Sequence, residues 1–293
     1  MKIVKFKGGL GNQLFQYTFI RLLQIEFNCS DVKADFSYYD NVKNDNVRVL
    51  RLKELNVSIE EVTESNLSRI LKLKRLGNPK KIIYKVILFI ESTLNKKYYF
   101  ESDMRYKDLS KMLNYGYYDG YWQSWKYVDS IKEILKKELA FKNALTNKTQ
   151  EIISLFQSQE SVFLGVRRGD YLTHAKNREL YGSFSDEYYK RAIDYIKKHT
   201  RKPVFYVFSN DIEWVKHNIN FNCNVIFRDD KDVSDIEELF IMASCKHAII
   251  VNSTYYWWGA WLIENPEKIV IAPEKWFANE KAIDIIPDTW VKM

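Results

Sequence analysis

Two adjacent arginines, Arg167 and Arg168, stand directly after the run Val162-Phe-Leu-Gly-Val166 and before Gly169 and Asp170. The run reads as a buried strand. A pair of guanidiniums at its end, with a glycine to turn the chain, suits a bound polyanion such as a pyrophosphate. Two charges at the end of a buried strand are costly without an anionic partner, and Asp170 is placed to hold one arginine by a salt bridge. Two other clusters have related chemistry. Lys7-Gly-Gly-Leu-Gly-Asn-Gln13 is a glycine-rich turn that can bring backbone N–H groups and a helix N-terminus against an anion. In Val251-Asn-Ser-Thr-Tyr-Tyr-Trp-Trp-Gly-Ala-Trp261, the side chains of Asn252, Ser253 and Thr254 fall between a strand and a helix, where they can hold phosphate oxygens. Taken alone, that triplet reads as a helix cap. Trp257, Trp258 and Trp261 read as packing of the helix that follows.

These clusters need rigid elements to position them. Residues 2–6 read as a strand, and apolar residues at helical spacing follow over 14–27. A second strand lies near 32–36 and ends around Asp35. Residues 45–110 are mostly charged helices and loops. Gly116-Tyr-Tyr-Asp-Gly-Tyr-Trp-Gln-Ser-Trp125 reads as a short aromatic strand before a helix over about 126–139. From residue 160 onward, strands at 162–166, 204–208, 224–227, 247–251 and 268–272 alternate with helices, one of them capped at Ser209-Asn-Asp211. Ser234 or Asp235, with Glu237 and Glu238 three residues on, resembles a capping box. Alternation of this kind implies a parallel sheet with right-handed crossovers. The expected fold is α/β, two facing Rossmann-like domains with a cleft between them, divided in the polar stretch 143–160 and taken as 1–155 and 156–293.

Composition removes several classes. A chain of 293 residues, 46% hydrophobic with 10 glycines, is globular. Cys29, Cys223 and Cys245 form no CxxC pair, which fits neither a disulfide framework nor a zinc site and suits a reducing compartment. No secretory signal is expected, and no run approaches the ~20 apolar residues of a membrane span. The net charge is +7, and residues 69–107 hold eleven Lys/Arg against three acids, which accounts for the whole excess. That stretch reads as a solvated helical face or as a surface that docks on anionic lipid. Nothing resembles a nucleic-acid recognition module. Gly9-x-Gly11 with an acid some distance on imitates a dinucleotide fingerprint, but Leu14 stands where the third Gly or Ala belongs. Asp230-Lys-Asp232 could hold a divalent metal, although a charged turn explains it better.

Lys7-Gly-Gly-Leu-Gly-Asn-Gln-Leu-Phe-Gln-Tyr17, Gly120-Tyr-Trp-Gln-Ser124, Arg167-Arg-Gly-Asp-Tyr171, Phe208-Ser-Asn-Asp211 and the Asn252–Leu262 segment together resemble the bacterial α-1,2-fucosyltransferases of glycosyltransferase family 11. The resemblance runs over nearly the whole chain and is vaguest over 40–110. It implies a GT-B fold with an acceptor-side first domain and a GDP-fucose-binding second domain. The implied reaction is an inverting, metal-independent transfer of L-fucose from GDP-β-L-fucose to the 2-hydroxyl of a terminal galactose, with no cofactor. Arg167 would be the catalytic residue that grips the β-phosphate as GDP departs. Gly11, Asn12, Arg168, Asp170, Glu238, Asn252, Ser253, Thr254 and Tyr255 would bind the donor. Asp119 and Asp35 are weak candidates for a base, and a base is not strictly required.

Two positions depart from the family pattern. Gly165 stands where the family usually has His, which implies that another contact holds the nucleotide and that donor affinity is more exposed to the change than catalysis is. Glu238 stands where Asp is common. The favoured reading is a cytoplasmic enzyme at the inner membrane face, completing a polysaccharide repeat unit on its lipid carrier. An inactive nucleotide- or glycan-binding homologue is the alternative, and Gly165 is what raises it. A nicotinamide-dependent oxidoreductase is a third reading, and Leu14 argues against it.

Overall fold

The computed structural model describes residues 1–40, 49–70, 97–167, 186–230, 232–277 and 284–293, without the side chains of 68–70. Arg168, Gly169 and Asp170 lie outside the described residues, as do residues 71–96 of the basic stretch. The chain divides into two compact units, Met1–Lys142 and Asn143–Met293.

Among the described residues, the first unit is built on a five-stranded parallel sheet in the order β3-β2-β1-β5-β4. Its strands are β1 (Lys2–Lys5), β2 (Val32–Asp35), β3 (Glu60–Glu61), β4 (Tyr98–Phe100) and β5 (Tyr117–Asp119). Helix α1 (Leu10–Ile25) follows β1, and Leu14, Phe15, Tyr17, Phe19 and Ile20 on it are fully buried. It begins four residues earlier than the sequence suggests. Leu10 is already an apolar anchor, 5% exposed, so the helix can start at Gly9 and take Gly11 and Asn12 into its first turn. Only Gly8, at φ +86°, needs a glycine's conformational freedom in that turn. The helix expected over 126–139 is two, α2 (Trp125–Ser130) and α3 (Lys132–Glu138), broken at the buried Ile131. Strand β4 was not legible in the sequence, because its three aromatic residues lie within a charged stretch and are too short to show a period.

The second unit carries a six-stranded parallel sheet in the order β11-β10-β9-β6-β7-β8. The strands are β6 (Ser161–Val166), β7 (Val204–Ser209), β8 (Ile226–Arg228), β9 (His247–Ile249), β10 (Val270–Ala272) and β11 (Val291–Lys292). Counted from β6, this is the order 3-2-1-4-5-6 of dinucleotide-binding folds, and the strand order reverses between β6 and β9. Every residue of β6 is buried, as a central parallel strand covered on both faces requires. The helices are α4 (Asn147–Gln157), α5 (Asp186–His199), α6 (Ile212–Asn218), α7 (Asp235–Ala243) and α8 (Thr254–Leu262).

The sequence reading ends the first domain at 155, whereas the compact units divide at Lys142. Helix α4 belongs wholly to the second unit. The Phe156 ring lies 4.0 Å from that of Tyr206 on β7, and the Thr146 N–H donates to Glu237 Oε1 on α7 at 3.0 Å. These contacts join residues 50 and 91 positions apart in sequence, and local pattern carries no trace of them. Among the described residues no helix is long and apolar enough to cross a membrane.

Candidate active site

At the switch point of the second sheet, β6 ends at Val166 and delivers Arg167, while β9 runs on through Ile250 and Val251 to Asn252 and Ser253 before α8 begins. Arg167 Nη1 donates to Ser253 Oγ at 3.3 Å, across 86 residues of sequence. Ser253 is 1% exposed and occupies the N-cap of α8, yet its side chain makes no capping bond. Its hydroxyl instead steadies the guanidinium. Asn252 is also buried, and its Nδ2 donates to the Trp276 carbonyl at 3.0 Å. The catalytic candidate Arg167 and the donor-binding candidate Ser253 are brought together, and Asn252 anchors the loop that carries Ser253. Thr254 and Tyr255 open α8.

Tyr255 points its hydroxyl at α7, 2.9 Å from Glu238 Oε2 and also against the Asp235 carbonyl. The capping role open to either glutamate falls to Glu237. Ser234 Oγ accepts the Glu237 N–H at 3.2 Å and bonds its Oε2 at 3.2 Å. Burial works against the Glu237 carboxylate, but the bonds from Thr146, Thr149 and Ser234 outweigh it and hold its pKa below the usual range. Glu238 is left to face Tyr255. Burial, together with the nearby Asp235 and Asp230, pushes its pKa up to about 7 against the Tyr255 bond and Arg228.

A carboxyl raised in the folded state binds its proton more tightly there than in the unfolded chain. Glu238 therefore contributes a stability that is complete below pH 4.5 and is lost as pH rises through about 7. Replacing it by glutamine should flatten the stability profile between those values, and melting temperatures of both proteins across that range measure the difference. Parallel profiles would place the titration elsewhere.

The candidate metal pair is already engaged. Lys148 Nζ lies 3.4 Å from Asp230 and 3.5 Å from Asp232, and Arg228 also pairs with Asp230. The Ser209-Asn-Asp211 segment is a cap, with Asp211 Oδ1 accepting the Trp214 N–H at 3.2 Å.

Gly165 has a physical reason of its own. A β-carbon built there would stand 2.6 Å from Tyr256 Cδ2 and 2.7 Å from its Cγ, distances that real Cβ atoms do not show. The Tyr256 ring fills the space that a histidine at 165 would need. Nothing in the local sequence announces this, because the two residues lie 91 positions apart.

The first unit has its own switch point, between β1 and β5. Asn12 Oδ1 accepts from Gln123 Nε2 at 2.8 Å. Gln16 ties the two strand ends together, accepting the Lys7 N–H at 3.1 Å and donating to the Gly120 carbonyl at 3.2 Å. The half-buried Glu101 carboxylate accepts the N–H groups of Tyr121 and Trp122, and so shapes the turn in which Trp122 adopts φ 57°. Gln16, Gln123 and Glu101 were not singled out from the sequence, although two of them lie inside the motifs quoted there. Of the two candidate bases, Asp119 is bracketed by Lys7 at 2.5 Å and Lys5 at 3.2 Å. Asp35 is 2% exposed and accepts from the Tyr117 hydroxyl at 2.7 Å and the Ser37 N–H at 2.9 Å.

The family model for Glycosyl transferase family 11 matches residues 1–293. The chain belongs to glycosyltransferase family 11. An Escherichia coli O-antigen biosynthesis glycosyltransferase, WbnK, is 30% identical over 98% of both chains, and an Escherichia coli alpha-1,2-colitosyltransferase is 31% identical over 99% of this chain and 98% of its own. A pig galactoside alpha-(1,2)-fucosyltransferase 1 is 29% identical over 47% of this chain and 40% of its own. A mutant of Arabidopsis thaliana FUT1 in complex with GDP aligns in structure over 98% of this chain and 75% of its own, with a TM-score of 0.51 at 10% identity. The family 11 chain is thus a glycosyltransferase acting on a glycan, and its two parallel α/β units make the fold GT-B-like.

Proposed function

We propose that this family 11 enzyme transfers L-fucose, with inversion and without a metal ion, from GDP-β-L-fucose to the 2-hydroxyl of a terminal galactose. The observation that carries the reading is Arg167 held by Ser253 at the point where the second sheet reverses its strand order. Breaking the bond from the anomeric carbon to the diphosphate leaves new negative charge on the β-phosphate and positive charge on the sugar. A preorganised guanidinium at the phosphate favours that separation without having to reorient during the reaction. The acceptor hydroxyl then adds from the opposite face of the ring and loses its proton late. The engagement of Asp230 and Asp232 with Lys148 supports a metal-free route, with Arg167 supplying the cation.

Incubation with GDP-fucose and lactose is expected to release GDP and form a 1,2-linked product, undiminished in excess EDTA. Loss of transfer that manganese restores would return the metal role to Asp230 and Asp232. Absence of GDP release with every galactose-ended acceptor would favour the inactive homologue.

One observation favours a second donor. One of the two Escherichia coli relatives similar over nearly the full length is a colitosyltransferase, while the sequence likeness to the pig fucosyltransferase spans less than half the chain. Colitose is the analogue of fucose that lacks the 3-hydroxyl. A site that bonds that hydroxyl rejects the deoxy sugar by about 10⁴-fold or more, so the ratio of kcat/KM for the two donors separates the readings.

The excess charge of residues 69–107 supports a cytoplasmic enzyme working at an anionic membrane face on a lipid-linked acceptor. Sedimentation with vesicles containing anionic lipid, set against neutral vesicles, tests that placement.

A further inference from the structure

We propose that Tyr256 is the positioning residue for Arg167, and that Gly165 is what leaves its ring room to act. The inference rests on the donor reading above. Tyr256 is 5% exposed, and its hydroxyl lies 3.1 Å from the Val166 carbonyl and 3.1 Å from the Phe208 carbonyl. These carbonyls stand at the carboxyl ends of β6 and β7, where the ladder between the strands reaches its last pair, Val166 and Ser209. One hydroxyl straddles both strand ends there.

The Val166 carbonyl and the Arg167 N–H belong to the same planar peptide unit. A bond to that carbonyl therefore fixes the plane from which the Arg167 side chain departs. Arg167, the first residue past β6, reaches the start of the helix whose Tyr256 ring lies against Gly165. Ser253, three residues before Tyr256, meets the guanidinium from the same first turn of α8. That turn supports the arginine twice, at its tip through Ser253 and at its root through Tyr256. Any side chain at 165 would displace the ring, since even a β-carbon would overlap it.

The test is a double-mutant cycle read by GDP affinity in isothermal titration. Tyr256→Phe keeps the ring and removes only the hydroxyl, and its melting temperature should stay within about 5 °C of the parent. In the Arg167 background it should weaken GDP binding about fivefold or more, and in the Arg167→Ala background by less than about twofold, because only a correctly placed arginine can transmit the loss. Gly165→Ala, which retains the hydroxyl but crowds the ring, should show the same dependence on Arg167. Equal losses in both backgrounds, or full affinity in Tyr256→Phe, would overturn the positioning role while leaving the donor reading intact. Failure of the unsubstituted protein to bind GDP would overturn both.

Discussion

Arg167→Ala is expected to lower kcat by about 10²–10³-fold, the loss typical of removing one preorganised donor from a site of developing negative charge. An interaction made mainly in the transition state lowers kcat and kcat/KM together, so KM for the donor should change far less than turnover. Arg167 lies at the surface end of β6 and is half-buried, and the strand before it is held by neighbours on both sides. The fold should survive, with far-UV circular dichroism and melting temperature close to the parent. Arg167→Lys is expected to recover only part of the rate. It returns the charge but not the planar fork, one arm of which now bonds Ser253. Near-normal turnover in Arg167→Ala would remove this residue from the mechanism and shift attention to the adjacent Arg168.

Trp257→Ala should have the largest effect on stability, a loss of about 3–5 kcal/mol. The indole is fully buried, and its Nε1 donates to the Ile285 carbonyl at 2.6 Å. Its ring meets Trp258 at 5.1 Å and Trp290 at 5.4 Å between centroids. Alanine would leave a cavity among large rigid rings that cannot close over it, and would orphan the carbonyl as well. The urea midpoint should fall while its slope stays constant. A ligand role for the indole predicts the reverse, an unchanged midpoint with impaired donor binding.

Parts of the site could be read directly from the chain. The strand before Arg167 is legible because a run buried on both faces is continuously apolar, and the glycine-rich turn after β1 because few other residues allow it. The Ser234–Glu237 box follows from spacing alone, although spacing did not say which of two adjacent glutamates completes it. That choice depended on Thr146, which lies on a different element. The pairing of Asn12 with Gln123, 111 residues apart, was beyond any local pattern. The family motifs hinted that both segments matter without saying that they meet.

Gly165 shows the division most clearly. In sequence it is an irregularity, a missing side chain before two arginines. In the structure it is half of a packing pair whose other half is Tyr256. By itself the sequence determined the α/β class, the strand that carries Arg167 and the kind of ligand two arginines there would attract, because burial period, turn chemistry and side-chain charge are local properties. Only the tertiary structure decided the strand order, the Ser253 contact that holds the guanidinium and the residue that excludes a side chain at 165. Each of these depends on elements some ninety residues apart being brought together by parallel crossovers, and that is a property of the packed sheet as a whole.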